Sequence, residues 1–223
     1  MKPGHLFIVA TPIGNFQDIT LRALDILRMV DAVICEEYRI GSTLLKKLGI
    51  PEKSLLSYNE HNQQEQAPEI ILRLHQGENL ALVSDCGSPG FEDPGSFLVE
   101  QALQQGIPVS PLPGPSSLMA AISISPIPLK EFHFAGFLPR KDEERLPKLR
   151  HLNALKVPVI LMDTPYRLAK LLQEVESVFG RNRMATLALD VSLPGELILY
   201  GTLAELRQRV QARKGEFVLI LYR

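Results

Sequence analysis

The sequence predicts an α/β protein organised as two α/β domains, and three observations predict it. Short apolar runs of strand length alternate with amphipathic stretches of helix length along the chain. In the first half these runs end in loops rich in glycine, proline and serine, where open α/β sheets hold ligands. After Ser125-Pro126-Ile127-Pro128 the pattern restarts, which places a boundary between residues 112 and 130 and gives an N-terminal domain 1–113 and a C-terminal domain 114–223.

Residues 5–10 read as a buried strand left through the turn Thr11-Pro12-Ile13-Gly14-Asn15. Asp18 is expected to cap a helix reaching about Val30, with Leu21, Leu24, Leu27 and Val30 facing inward. A second strand, 31–35, ends in Glu36-Glu37-Tyr38-Arg39. By composition that segment is as readily a solvated loop as a catalytic one, and its position at a strand end favours the site. A helix bearing Leu44, Leu45 and Leu48 ends at Gly49, and a short strand, 54–58, leads into the polar cluster Asn59-Glu60-His61-Asn62. A helix over 63–76 follows.

The run 79–83 then enters Ser84-Asp85-Cys86-Gly87-Ser88-Pro89-Gly90-Phe91-Glu92-Asp93-Pro94-Gly95. A buried strand entering three glycines, two prolines and three acids must leave the sheet as an irregular loop that exposes backbone, with Asp85 and Asp93 able to accept hydrogen bonds. Asp93-Pro94 start a helix with Phe97, Leu98 and Leu103 expected inward, and the strand 106–112 gives way to Pro113-Gly114-Pro115-Ser116-Ser117-Leu118 before another helix start. In the second half, strands are expected at 132–137, 157–162, 184–189, 197–200 and 216–221. Helices are expected over about 165–179 and 202–213, and a charged stretch covers 140–150.

A formal net charge of −1 excludes a global field for polyanions, so any contact with nucleic acid must come from a local patch. The two cysteines, Cys35 and Cys86, form no spaced metal or disulfide pattern, and no metal site is expected. No apolar run reaches membrane-spanning length and the N-terminus does not read as a signal peptide, so a soluble cytoplasmic protein without membrane contact is expected.

Several segments together carry a family resemblance: Val9-Ala10-Thr11-Pro12-Ile13-Gly14-Asn15, Tyr58-Asn59-Glu60-His61-Asn62, residues 84–95, Pro113-Gly114-Pro115-Ser116-Ser117 and Gly136-Phe137-Leu138-Pro139. With Asp163-Thr164-Pro165-Tyr166-Arg167 and Lys214-Gly215-Glu216-Phe217-Val218, they closely resemble the 16S ribosomal RNA (cytidine-2'-O)-methyltransferases, a branch of the tetrapyrrole methylase superfamily. The resemblance spans nearly the whole chain, with the motifs in the same order.

It implies two α/β domains of tetrapyrrole methylase type, S-adenosylmethionine bound in the cleft between them, and a homodimer. Carried onto this sequence, the cofactor contacts fall on Pro12, Cys86, Gly87, Ser88, Phe91, Ser116, Ser117, Met162 and Leu189. The implied reaction is 2'-O-ribose methylation of ribosomal RNA in the small ribosomal subunit. Asp18, Glu36, Glu60 and Asp85 remain open as proton acceptor, and Arg39 lies among them.

The chain departs from the family pattern in three places. Glu36-Glu37-Tyr38-Arg39 stands where Glu-Asp-Thr-Arg is usual, with no arginine within Ile40-Gly41-Ser42-Thr43. Leu189-Asp190-Val191-Ser192-Leu193 replaces Arg-Glu-Leu-Thr-Lys and loses both cations, and the small C-terminal helical extension is missing after the last strand. A small-molecule, tetrapyrrole-like methyltransferase and a non-catalytic cofactor-binding regulator therefore stay as alternatives. An RNA enzyme is expected to line one open face with Arg39, Lys46, Lys47, Arg140, Lys141 and Arg167.

Overall fold

The computed structural model describes residues 2–50, 52–90, 94–211 and 213–223. The chain divides into two compact units between Ser116 and Ser117. Unit 1 holds β1 (Leu6–Val9), α1 (Leu21–Met29), β2 (Ala32–Cys35), α2 (Tyr38–Lys47), β3 (Ser54–Ser57), α3 (Gln63–His75), β4 (Leu80–Val83), α4 (Gly95–Gln104) and β5 (Val109–Leu112). All paired strands are parallel, in the order β3-β2-β4-β1-β5.

The near-continuous apolar strands follow from burial on both faces. Side chains alternate: Val9, Val33, Cys35, Ala81 and Val83 pack with α1 and α2, while Leu6, Ile34, Leu80 and Leu82 pack with α3 and α4. The chain leaves β1 through α1 toward β2 and leaves β4 through α4 toward β5, in opposite directions along the sheet. A topological switch therefore lies between the C-terminal ends of β1 and β4, where an open α/β sheet forms a crevice.

Three local expectations are corrected. Asp18 does not cap α1: it closes a 3-10 turn, Phe16–Asp18, and Thr20 is the N-cap, its hydroxyl accepting from Ala23 N. Thr20 stands immediately before the first helical residue, where a side-chain oxygen reaches the unpaired N–H groups. Leu21 is 80% exposed while Ala23 and Leu27 are buried, because residues three apart retreat 60° per step and a run of them winds off one face. In α4, Leu98 and Ala102 form the buried i, i+4 pair and Leu103 is exposed. The expected cap residue Asp93 lies outside the described residues.

Unit 2 holds α5 (Ser117–Ser123), β6 (His133–Phe137), α6 (Asp142–Ala154), β7 (Val159–Asp163), α7 (Leu168–Phe179), β8 (Met184–Leu189), β9 (Leu197–Thr202), α8 (Leu203–Val210) and β10 (Phe217–Leu221). Its sheet runs β6-β7-β10-β8-β9, with β6 and β7 parallel and the other pairs antiparallel. Helices α6, α7 and α8 cover one face through Leu149, Leu172 and Leu206, and α5 covers part of the other through Ala121.

The charged stretch 140–150 is largely α6, and its Arg145 is 2% exposed. Arg145 donates to Glu174 from Nε (2.6 Å) and Nη2 (2.7 Å), to Asp142 Oδ1 (2.5 Å), and to the Pro139 and Arg140 carbonyls. A buried guanidinium needs this saturation, since unpaired charge in the interior is costly. Among the described residues no helix is long and apolar enough to cross a membrane.

Candidate active site

The loops after β1, β4 and β5 are bound to one another at the C-terminal edge of unit 1. Thr11, 1% exposed, donates its backbone N–H to Gly87 O (2.8 Å) and its hydroxyl to Ser84 O (2.9 Å), which ties the β1 loop to the β4 loop across the switch. Ser88 Oγ donates to Pro115 O (3.0 Å), tying the β4 loop to the β5 loop. Gly87 sits at φ +83°, and a Cβ there would come within 3.2 Å of Ile13 Cγ2. A Cβ on Gly114 would lie 2.8 Å from Ala10 Cβ. Both glycines are required by close approach of the loops.

On the β2 side of the β4 loop lies a pocket of about 480 Å³. Pro12, Ile13 and Phe16 come from the β1 loop, Glu37 and Arg39 from the start of α2, and Asp85 from the β4 loop. The alternation that sorts the core also decides which acids meet. β2 pairs with β4 so that Ile34 faces Leu82, and three residues further along Glu37 faces Asp85 on the α1/α2 side. Glu36 points the other way, beside Tyr58 and Pro94.

Asp85 Oδ1 is buried without a hydrogen-bond partner. Burial raises the Asp85 pKa, and the Glu37 charge adds to the rise although the Glu37 backbone N–H opposes it. The Cys35 thiol is pushed up to about 11 by burial and by Asp85. A carboxyl with an orphaned oxygen and a raised pKa, set in a cavity, is equipped to accept a proton or to bind a donor.

The Tetrapyrrole (Corrin/Porphyrin) Methylases family matches residues 5–207. The chain belongs to that family. This tetrapyrrole methylase is 44% identical to the ribosomal RNA small subunit methyltransferase I of Xylella fastidiosa, over 98% of this chain and 81% of that protein. It is 39% identical to the protein of the same name from Haemophilus influenzae, over 98% of this chain and 78% of the relative. The solved uroporphyrin-III-C-methyltransferase of Thermus thermophilus shares the fold at 18% identity, with a TM-score of 0.68, covering 98% of this chain and 94% of that one. The tetrapyrrole methylase is thus a methyltransferase and needs a methyl donor.

The sequence candidates separate on this geometry. Pro12, Cys86, Gly87, Ser88 and Ser116 all stand at the C-terminal edge of the unit 1 sheet, and Phe91 lies outside the described residues. In unit 2, Ser117 opens α5 and Met162 is half-buried on the α5 face. Leu189 is fully buried on the opposite, helix-covered face, which leaves its backbone as the part able to meet a ligand.

Among the acids, Asp85 lines the pocket with Arg39, whereas Asp18 and Glu60 are exposed and do not line this pocket. The cluster around Glu60 is a turn that bonds to itself: Asn62 Oδ1 accepts from Asn59 N, and Asn59 Oδ1 accepts from His61 N. Among the expected RNA-facing cations, Arg39, Lys46, Lys47, Arg140 and Lys141 are exposed. Arg167 instead donates to the Leu138 and Pro139 carbonyls and stands 3.3 Å from the buried Asp163.

Thr11, Ile13, Phe16 and Glu37 are site residues that the candidate set lacks. Period-two counting from Cys35 and Val83 contains the signal for Glu37, because it places Glu37 and Asp85 on one face.

Proposed function

We propose that this methyltransferase uses S-adenosylmethionine to methylate a ribose 2'-hydroxyl of RNA in the small ribosomal subunit. The observation that carries the reading is the interlocked set of loops at the switch point, Thr11 to Gly87 and Ser88 to Pro115, in a chain whose relatives bear the name ribosomal RNA small subunit methyltransferase I.

The residues suit the donor. An adenosine and an amino-acid tail need exposed backbone hydrogen-bonding groups with apolar walls and no metal. The turn at Cys86, Gly87 and Ser88 supplies backbone held open by a positive φ, and Pro12 and Ile13 supply the wall. Ser116, Ser117, Met162 and the Leu189 backbone complete the proposed set. When bound, the donor supplies an electrophilic methyl group on a sulfonium. The chain's own part is to orient the acceptor oxygen in line with that group, exclude competing water and receive one proton. A cytoplasmic homodimer with domains 1–113 and 114–223 is the assembly proposed with this activity.

The test is methylation of small subunits isolated from a strain lacking the gene, with the modified position mapped. Transfer to one ribose 2'-oxygen supports the reading. Transfer to a tetrapyrrole-like acceptor and not to subunits supports the small-molecule alternative, and donor binding without transfer supports the regulator.

A further inference from the structure

The β4 loop has two sides. Toward β5 it bonds to the Pro115 carbonyl through Ser88, the side assigned above to the donor; toward β2 it opens on the 480 Å³ pocket. Pro12, Ile13 and Cys86 belong to both. A volume of this size lies within the range of about 300–1,000 Å³ common for small-ligand sites, enough for one nucleotide unit.

The pocket's lining combines one cation, two carboxylates and apolar side chains. Arg39, exposed at the start of α2, is a planar cation suited to phosphate. Phe16, 38% exposed on the 3-10 turn, offers a ring on which a base can stack. Asp85, next to Cys86, also lines the pocket, and its Oδ1 is buried without a partner.

We propose that this pocket seats the acceptor nucleotide and that the Asp85 carboxylate is the group that takes the proton from its 2'-hydroxyl, with Arg39 holding an adjoining phosphate. The assignment rests on the functional reading above. In the step, the 2'-oxygen forms a bond to the methyl carbon and the carbon–sulfur bond of the sulfonium donor breaks, its electron pair staying on sulfur. The hydroxyl proton passes to Asp85, so atoms and charge balance.

The charged and titratable groups around Asp85 fit this role. Burial raises its basicity, the Glu37 backbone N–H lowers it and the Glu37 charge adds a smaller rise; the Cys35 thiol stays neutral with its pKa at about 11, and Cys86 and Arg39 share the pocket wall. Glu36 is on the other face of the sheet and Asp18 and Glu60 are exposed, whereas Asp85 is partly buried and lines the pocket beside Arg39.

Two variants test the assignment, each with a readout besides turnover. Asp85→Asn keeps the side-chain shape, and its kcat should fall by about 10²-fold or more while affinity for S-adenosylhomocysteine and for small subunits stays within about threefold. The wild-type log kcat should rise with pH through the Asp85 titration and then level, and the residual rate of the variant should lack that limb. Arg39→Ala should weaken subunit binding measured without donor and lower the slope of log affinity against log salt by about one.

An Asp85→Asn protein within about threefold of wild-type kcat overturns the assignment. So does a loss of donor affinity above about tenfold, which would move Asp85 into the donor seat, or a salt slope unchanged by Arg39→Ala. Failure of the assignment alone leaves wild-type transfer to subunits intact, whereas a wild-type protein that neither binds nor methylates subunits overturns the functional reading as well.

Discussion

Arg145 in unit 2 and Asp85 in unit 1 are both ionisable groups held within the fold, and their surroundings are opposite in kind. Each nitrogen of the Arg145 side chain donates to a carboxylate or a carbonyl, including the carbonyls of Pro139 and Arg140 in the loop after β6. Asp85 follows the end of a parallel strand, lines a cavity, and has one oxygen buried without a partner. Saturated burial fixes a shape, whereas an orphaned group beside a cavity keeps free energy that binding can recover. Among the described residues of unit 2, Asp163 Oδ2 is likewise unpartnered and its carboxylate likewise accepts one backbone N–H, from Thr164 (2.7 Å), but Arg167 stands 3.3 Å from it and supplies the facing cation.

The contrast can be broken most severely at Gly87. Gly87→Leu should lower donor affinity by more than about hundredfold in calorimetry, because a side chain at φ +83° strains the turn and meets Ile13. Retained circular dichroism would show that the loss is local. On the saturated side, Arg145→Ala should lower stability by about 3–5 kcal/mol in chemical denaturation, since it leaves Glu174 and the loop carbonyls unpaired. Arg145→Lys should recover little of it, because one ammonium cannot reproduce the fork.

A subtler difference should appear with pH. The folded-state pKa of Asp85 is raised above its ordinary value, so its favourable contribution is complete below that ordinary value and is lost as pH rises through the folded value. Asp85→Asn, neutral throughout, should therefore match wild type in Tm near pH 4 and exceed it by a few degrees near pH 8. An equal offset at both pH values would contradict this. The smallest effect belongs to α8: Thr202→Ala removes the reciprocal bonds of its capping box with Glu205 and should cost about 1 kcal/mol.

Strands and their loops were the legible part of this sequence. Apolar runs such as Leu80-Ala81-Leu82-Val83 announce strands buried on both faces, and glycines after them announce loops that approach closely. Helix faces were less legible, because apolar spacing in α1 and α4 matches more than one stripe and only packing selects Leu27 over Leu21 and Ala102 over Leu103. Arg145 could not be found in a run of charges, since what buries it is Glu174, 29 residues away on α7.

The site divides in the same way. Its loops could be read from local residue types, but the choice of Asp85 over Glu36 depends on strand order and register, which no single segment encodes. Phe16 enters through the 3-10 turn that Asn15 caps, a turn hidden by the expectation that Asp18 begins a helix.

The most direct measurement is transfer of a labelled methyl group from S-adenosylmethionine to small ribosomal subunits lacking the modification, by wild-type and Gly87→Leu protein, with the product mapped by nucleotide position. The account predicts one labelled ribose 2'-oxygen with wild type and none with the variant. Label on a base or on no RNA at all, or equal labelling by the two proteins, would contradict it.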